Sequence, residues 1–179
     1  DRERKKIWVS AKVARPEEQA LALATMTGGI EVGTYRALAS ELLPAWDIYR
    51  HPGCFEAMTG SASAERIAPL EPDIVGEHFV LQTLTRLTAL QRQQLCAMAW
   101  SVSPVGMIRF TLRAYQDVPS HIGLATLLAP PDDERAVTYW FSAVANLIDA
   151  AACHSSSATE SLINSAVDRA FHALPALTN

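Results

Sequence analysis

The chain cuts itself into helical lengths, and this punctuation constrains its fold more than any other feature. Pro72 opens a segment reaching about Leu87, with Val80, Leu84 and Leu87 on one face. Thr88 followed by Gln91 is a capping box that restarts the chain as a new helix, whose apolar face holds Leu95, Met98, Ala99 and Val102. Ser103-Pro104 stops that helix and starts the next, aligning Val105, Ile108, Leu112 and Tyr115. Pro119 ends it, and a brief segment runs from His121 to Leu128. Pro130-Pro131-Asp132-Asp133-Glu134 is a strong helix start, leading into a wide apolar stripe of Val137, Trp140, Phe141, Val144, Leu147, Ile148 and Ala151. Serines 155 to 157 break the chain, and Ser157 with Glu160 forms a second candidate capping box. A last stripe follows (Leu162, Ile163, Val167, Ala170, Phe171, Leu174), closed by Pro175. Short links between such lengths imply antiparallel helical hairpins. No repeat of fixed period supports a solenoid.

The first seventy residues read differently. Residues 1 to 14 suit a short helix with Trp8 as its anchor on a core. Pro16-Glu17-Glu18 starts a helix, because proline fits the first turn and acids favour its positive end. Ala20, Leu21, Leu23, Ala24 and Met26 give it apolar surface, and Gly28-Gly29 ends it. A second helix is expected from Thr34, as N-cap, with Tyr35, Leu38 and Leu42 on one face and Pro44 just beyond. After Trp46 to Tyr49, a short helix from Pro52 through Met58 leads into a turn at Thr59 to Ser63. Glu65-Arg66-Ile67-Ala68 has the place of a short strand or wing. The expected fold is mainly α: a winged-helix-like domain over residues 1–70 with a short β wing, then an all-α helical bundle over 71–179.

Composition narrows the function. Hydrophobic residues make up 49% and charged residues 19%, below the roughly 25% usual for soluble domains. Such a chain suits one that lends apolar surface to a partner. Net charge is −4 and the only basic run is Arg2 to Lys6, which argues against nucleic-acid binding. No apolar run reaches the roughly 18 residues of a membrane span, and the charged N-terminus lacks the apolar centre of a signal peptide. Three scattered cysteines (Cys54, Cys96, Cys153) suit buried thiols in a reducing compartment, so the expected location is cytoplasmic. With Asp1 in place of a methionine, the chain reads as a fragment or processed product.

Candidate chemistry is sparse. Asp73 and Glu77 are four apart and share a helix face, as a metal site or an acid/base pair would require. Asp73 also sits where an acid simply stabilises a helix start. His78 adjoins Glu77 but points about 100° away on a helix, so the two do not form a dyad. His51 and Cys54 have the spacing of two metal ligands without a second pair nearby. Cys153-His154 falls at a helix end. Gly28-Gly29 lacks the Lys-Ser/Thr of a phosphate loop, and no metalloprotease, nucleophile-elbow or dinucleotide motif occurs. No catalytic residue, metal site or cofactor is therefore assigned, and the chain is not expected to be an enzyme by itself.

Three segments carry a resemblance. Asp1-Arg2-Glu3-Arg4-Lys5-Lys6-Ile7-Trp8 is similar to the charged stretch that follows the nucleotide-binding core of bacterial STAND NTPases. Leu23 to Gly29 resembles the helix end "ATxxGG" of their winged-helix domain. Pro69-Leu70-Glu71-Pro72-Asp73-Ile74-Val75-Gly76-Glu77 looks like the "PLEPDLLGE" signature after the wing. They come in the family order and bracket about half the chain. The resemblance implies the regulatory and relay portion of a signalling ATPase, packed against the nucleotide-binding domain of the same polypeptide, with self-association as a further partner. ATP or ADP and Mg would belong to the full-length parent. It implies Glu71, Asp73, Glu77 and His78 as nucleotide-proximal or interdomain residues. Relatives with a Met-His-Asp motif here use its histidine to touch phosphate; Asp73 falls on the aspartate, but Pro72 stands where that histidine would be. The rival readings are a DNA-binding winged helix, whose recognition helix Thr34 to Leu43 would offer Arg36 against Glu41, and a small helical enzyme using Asp73, Glu77 and His78.

Overall fold

The computed structural model describes residues 16–42, 65–71, 73–131 and 134–152, with the isolated helical positions 164, 167, 168, 170 and 171. The described residues are mainly helical, with a small two-stranded antiparallel sheet. The Trp8 segment, the Pro52–Met58 helix with His51 and Cys54, Pro72, Cys153-His154 and the second capping box lie outside them.

Helix α1 (Pro16–Thr27) is the centre of the packing. Every residue from Glu18 to Thr27 is buried, so this helix is covered on all sides. Its end is a Schellman motif: Gly29 N–H donates to Ala24 O at 2.6 Å and Gly28 N–H to Thr25 O at 3.4 Å. Gly28, at φ 75°, takes the left-handed position, where a Cβ would be strained.

The chain then enters strand β1 (Ile30–Glu31) and runs directly into α2 (Val32–Leu42). The expected N-cap at Thr34 is thus corrected: α2 begins two residues earlier because the strand leads straight into it. Strand β2 (Arg66–Ile67) pairs with β1, Ile30 opposite Ile67 and Glu31 opposite Arg66. Both isoleucines are buried under the sheet. Arg66 folds back so that Nη2 donates to Gly28 O at 2.9 Å.

Five further helices follow; three of them pack on α1, and the other two pack on those three. They are α3 (Asp73–Arg86), α4 (Ala89–Val102), α5 (Pro104–Asp117), the single-turn α6 (Leu124–Leu127) and α7 (Glu134–Ala152). The Thr88 box forms as the sequence predicts: Thr88 Oγ1 accepts from Gln91 N–H at 3.3 Å and Gln91 Oε1 from Thr88 N–H at 3.1 Å. Ser103 Oγ accepts from Gly106 N–H at 3.2 Å, and Pro104 opens α5.

Helix α1 packs against α3, α4 and α5, so buried residues on both sides of residue 70 share one core. It runs antiparallel to α3: Thr25 meets the start of α3 at Gly76, and Glu18 meets its end at Arg86.

Two expected faces need correcting. On α5 the buried stripe is Met107, Phe110, Thr111 and Ala114, with Tyr115. Of the expected face, Val105 is half exposed and Ile108 and Leu112 are partly buried. The helix has neighbours on several sides, α1 and α7 among them, so it buries more than one stripe and the bulkiest residues point inward. In the last stripe Phe171 is 69% exposed.

Two tryptophans lock α6 in place. Trp100 on α4 donates from Nε1 to Leu127 O at 3.3 Å, and Trp140 on α7 donates to Leu128 O at 3.1 Å. A helix of one turn leaves its last carbonyls without partners, and these two buried indoles supply them. Trp140 also meets Phe141 edge to face, with centroids 5.0 Å apart.

Candidate functional site

The sequence-nominated residues sit where α3 begins. Three features place that start. Thr25 Oγ1 donates to Leu21 O at 2.8 Å and accepts from Leu70 N–H at 3.1 Å, holding the strand exit against α1. Gly76 lets α3 come close: a Cβ there would lie 2.9 Å from both Leu70 O and the Thr25 methyl. Gly106 does the same for α5, since a Cβ would lie 2.6 Å from Thr27 O. The starts of α3 and α5 thus converge on the C-terminal end of α1.

Asp73 and Glu77, one turn apart on α3, lie opposite Arg113 and Asp117, one turn apart in the second half of α5. Arg113 bridges the two carboxylates: Nε donates to Glu77 Oε1 at 3.1 Å, and Nη1 lies 3.3 Å from Asp73 Oδ2. Their environments differ. Asp73 is exposed, whereas the Glu77 side chain is 1% accessible. Glu77 Oε2 is buried without a donor. Burial, then the hydrogen bond to Asp117, pushes the Glu77 carboxyl up to about 7, against the opposing pull of Arg113. In its neutral form Glu77 can donate a proton to Asp117, which satisfies the oxygen that is otherwise orphaned.

His78 points away from Glu77, as helical geometry predicts, and is exposed. It meets His121, in the loop after α5, edge to face at 6.4 Å. His121 Nδ1 accepts from Gly123 N–H at 3.0 Å. Burial, and secondarily His78, holds His121 below the usual imidazole range. Glu71 is exposed just ahead of α3. The structure therefore joins Asp73 and Glu77 and sends His78 to a separate contact.

Arg113, Asp117 and His121 escape the sequence reading. Arg113 and Asp117 are spaced i, i+4 on α5 as Asp73 and Glu77 are on α3; matching those two pairs is the signal that would find them.

The chemistry on offer is limited. Arg113 is already engaged by Asp73 and Glu77. Among the described residues no group of three or more His, Cys, Asp or Glu can hold a metal ion. No helix among them is long and apolar enough to cross a membrane. A second buried ion pair braces the other end of α3, with Arg86 reaching both Glu18 oxygens at 3.2 and 3.4 Å. No family model, no curated protein and no solved structure matches this chain.

Proposed function

We propose that the chain is the regulatory and relay module of a STAND-type signalling ATPase. In this reading it has no catalytic role of its own and packs against the nucleotide-binding core of the same polypeptide. The observation that carries the reading is the joint at Thr25. The two segments that resemble the family, Leu23 to Gly29 and Pro69 to Glu77, meet there through a buried hydrogen bond and a glycine contact. Residues far apart in sequence thus have a shared mechanical reason for their pattern. Among the described residues, the order helix, strand, helix, then a second strand antiparallel to the first is compatible with a winged-helix domain. Ile74 and Val75, both more than half exposed on the first turn of α3, supply apolar surface for the core to cover.

The nucleotide would stay with the core, and its state would reach this chain through repacking at α3. The test begins with the full reading frame, which should encode a P-loop domain ahead of Asp1. The joined protein is then followed by amide hydrogen exchange with ADP and with a non-hydrolysable ATP analogue. The first turns of α3 should be protected in one state and released in the other. A reading frame without a P-loop domain, or identical exchange in both states, would overturn the proposal.

A further inference from the structure

We propose that the contact between α3 and α5 is a proton-operated clasp, closed when Glu77 is protonated and loosened when it is ionised. This goes beyond the relay reading and stands without it, because it depends only on the contact itself.

The geometry is specific. Glu77 is fully buried on α3 and its two oxygens have unequal partners: Oε1 has Arg113, whereas Oε2 has no donor. The charged groups acting on it are both on α5, Arg113 and Asp117. On its own helix Asp73 competes for the same guanidinium through Nη1. The ion pair between α1 and α3, Glu18 with Arg86, lies at the far end of α3 and does not act on Glu77. His78 and His121 face one another and not the carboxyl.

With all three acids ionised, one guanidinium faces three carboxylates, two of them in direct opposition across the contact. The buried Oε2 then has neither donor nor solvent. Adding one proton to Glu77 changes each term. Oε2–H donates to Asp117, the opposition of Glu77 and Asp117 charges disappears, and Arg113 offsets one of the two carboxylate charges that remain. The group titrates near neutrality for these reasons, so the change falls in an ordinary pH range. The consequence is a contact between two core helices that tightens as pH falls and slackens as it rises.

The direct test is a carbon-detected NMR titration of the glutamate side chains of the full 179-residue chain. One glutamate, assigned to Glu77 by its loss in Glu77→Gln, should titrate with a midpoint near 7. A midpoint in the ordinary carboxyl range would overturn the proposal. The second test follows backbone amide exchange of α3 and α5 between pH 5.5 and 8.5, corrected for the intrinsic pH dependence of exchange. In the wild-type chain protection of both helices should fall several-fold on raising pH. In Glu77→Gln, whose amide donates permanently, the fall should disappear. In Asp117→Asn, the fall should move to lower pH, because burial still raises the carboxyl but Asp117 no longer does. If wild type and both variants show the same pH dependence, the clasp is absent. Should a variant fail to fold, the Glu77 carboxyl is assigned by its through-bond connection to its own backbone, and the wild-type titration and the wild-type exchange decide together: a midpoint in the ordinary range, or protection that does not fall with pH, overturns the clasp.

Discussion

The backbone N–H of Leu70 donates to the hydroxyl of Thr25 at 3.1 Å, across 45 positions of sequence. The same hydroxyl donates to Leu21 O one turn back on its own helix, so one side chain ties the strand exit to the central helix. Thr25→Val keeps the methyl that Gly76 packs on and removes both hydrogen bonds. The buried Leu70 N–H is then left unpaired, at a cost of about 1–3 kcal/mol. Thr25→Ser retains the hydroxyl and should lose about 1 kcal/mol or less, for the missing methyl. Urea unfolding of the two variants separates these outcomes.

The two glycines Gly76 and Gly33 should respond in opposite ways to alanine. At Gly76 the new methyl meets backbone oxygen and a packed methyl at 2.9 Å. Backbone cannot swing aside, so Gly76→Ala should destabilise by about 1–3 kcal/mol. At Gly33, in α2, nothing lies within 4 Å. Gly33→Ala should be neutral, or stabilising by up to about 1 kcal/mol through helix propensity. Thermal unfolding of both variants checks the sign.

Removing one member of the buried ion pair should cost more than removing both charges. Arg86→Met leaves the Glu18 carboxylate, 5% accessible, without its guanidinium and should lose about 3 kcal/mol. Adding Glu18→Gln removes the buried charge and should recover part of that loss. A double-mutant cycle by chemical denaturation reads the coupling.

Stability should depend on pH in two opposed ways. The raised Glu77 carboxyl contributes stability that is complete below the ordinary carboxyl value near 4.5 and is lost as pH climbs to about 7. The depressed His121 contributes stability that is present above the usual imidazole value and is lost as pH falls below 6.5. The melting temperature of Glu77→Gln should therefore fall less than wild type between pH 5 and 7.5. That of His121→Gln should lose part of the decline on the acid side of 6.5. Calorimetric scans across this range test both.

Much of the helical punctuation was legible because caps and prolines act over three or four residues. The Thr88–Gln91 box, the Ser103-Pro104 junction and the Gly28-Gly29 stop all stand where local chemistry puts them. The buried face of α5 was not legible, because periodicity finds apolar stripes without saying which neighbour covers each one. Trp100 was missed for the same reason: it falls beside the expected stripe of α4, yet it is fully buried and donates to Leu127 O. At the site, the i, i+4 spacing of Asp73 and Glu77 was visible, but the bridging by Arg113 depends on how α5 lies against α3. The central place of α1 was hidden because its alanines and leucines resemble one face of an ordinary amphipathic helix.

That central helix has a consequence for how the chain is made. Synthesis delivers Ala20 to Met26 ahead of their cover, because the surfaces that wrap them are complete only when α5 ends at Asp117. Until then a sticky segment waits on the ribosome without a shelter of its own. A nascent chain halted before that point should recruit a chaperone, and one released after it should not.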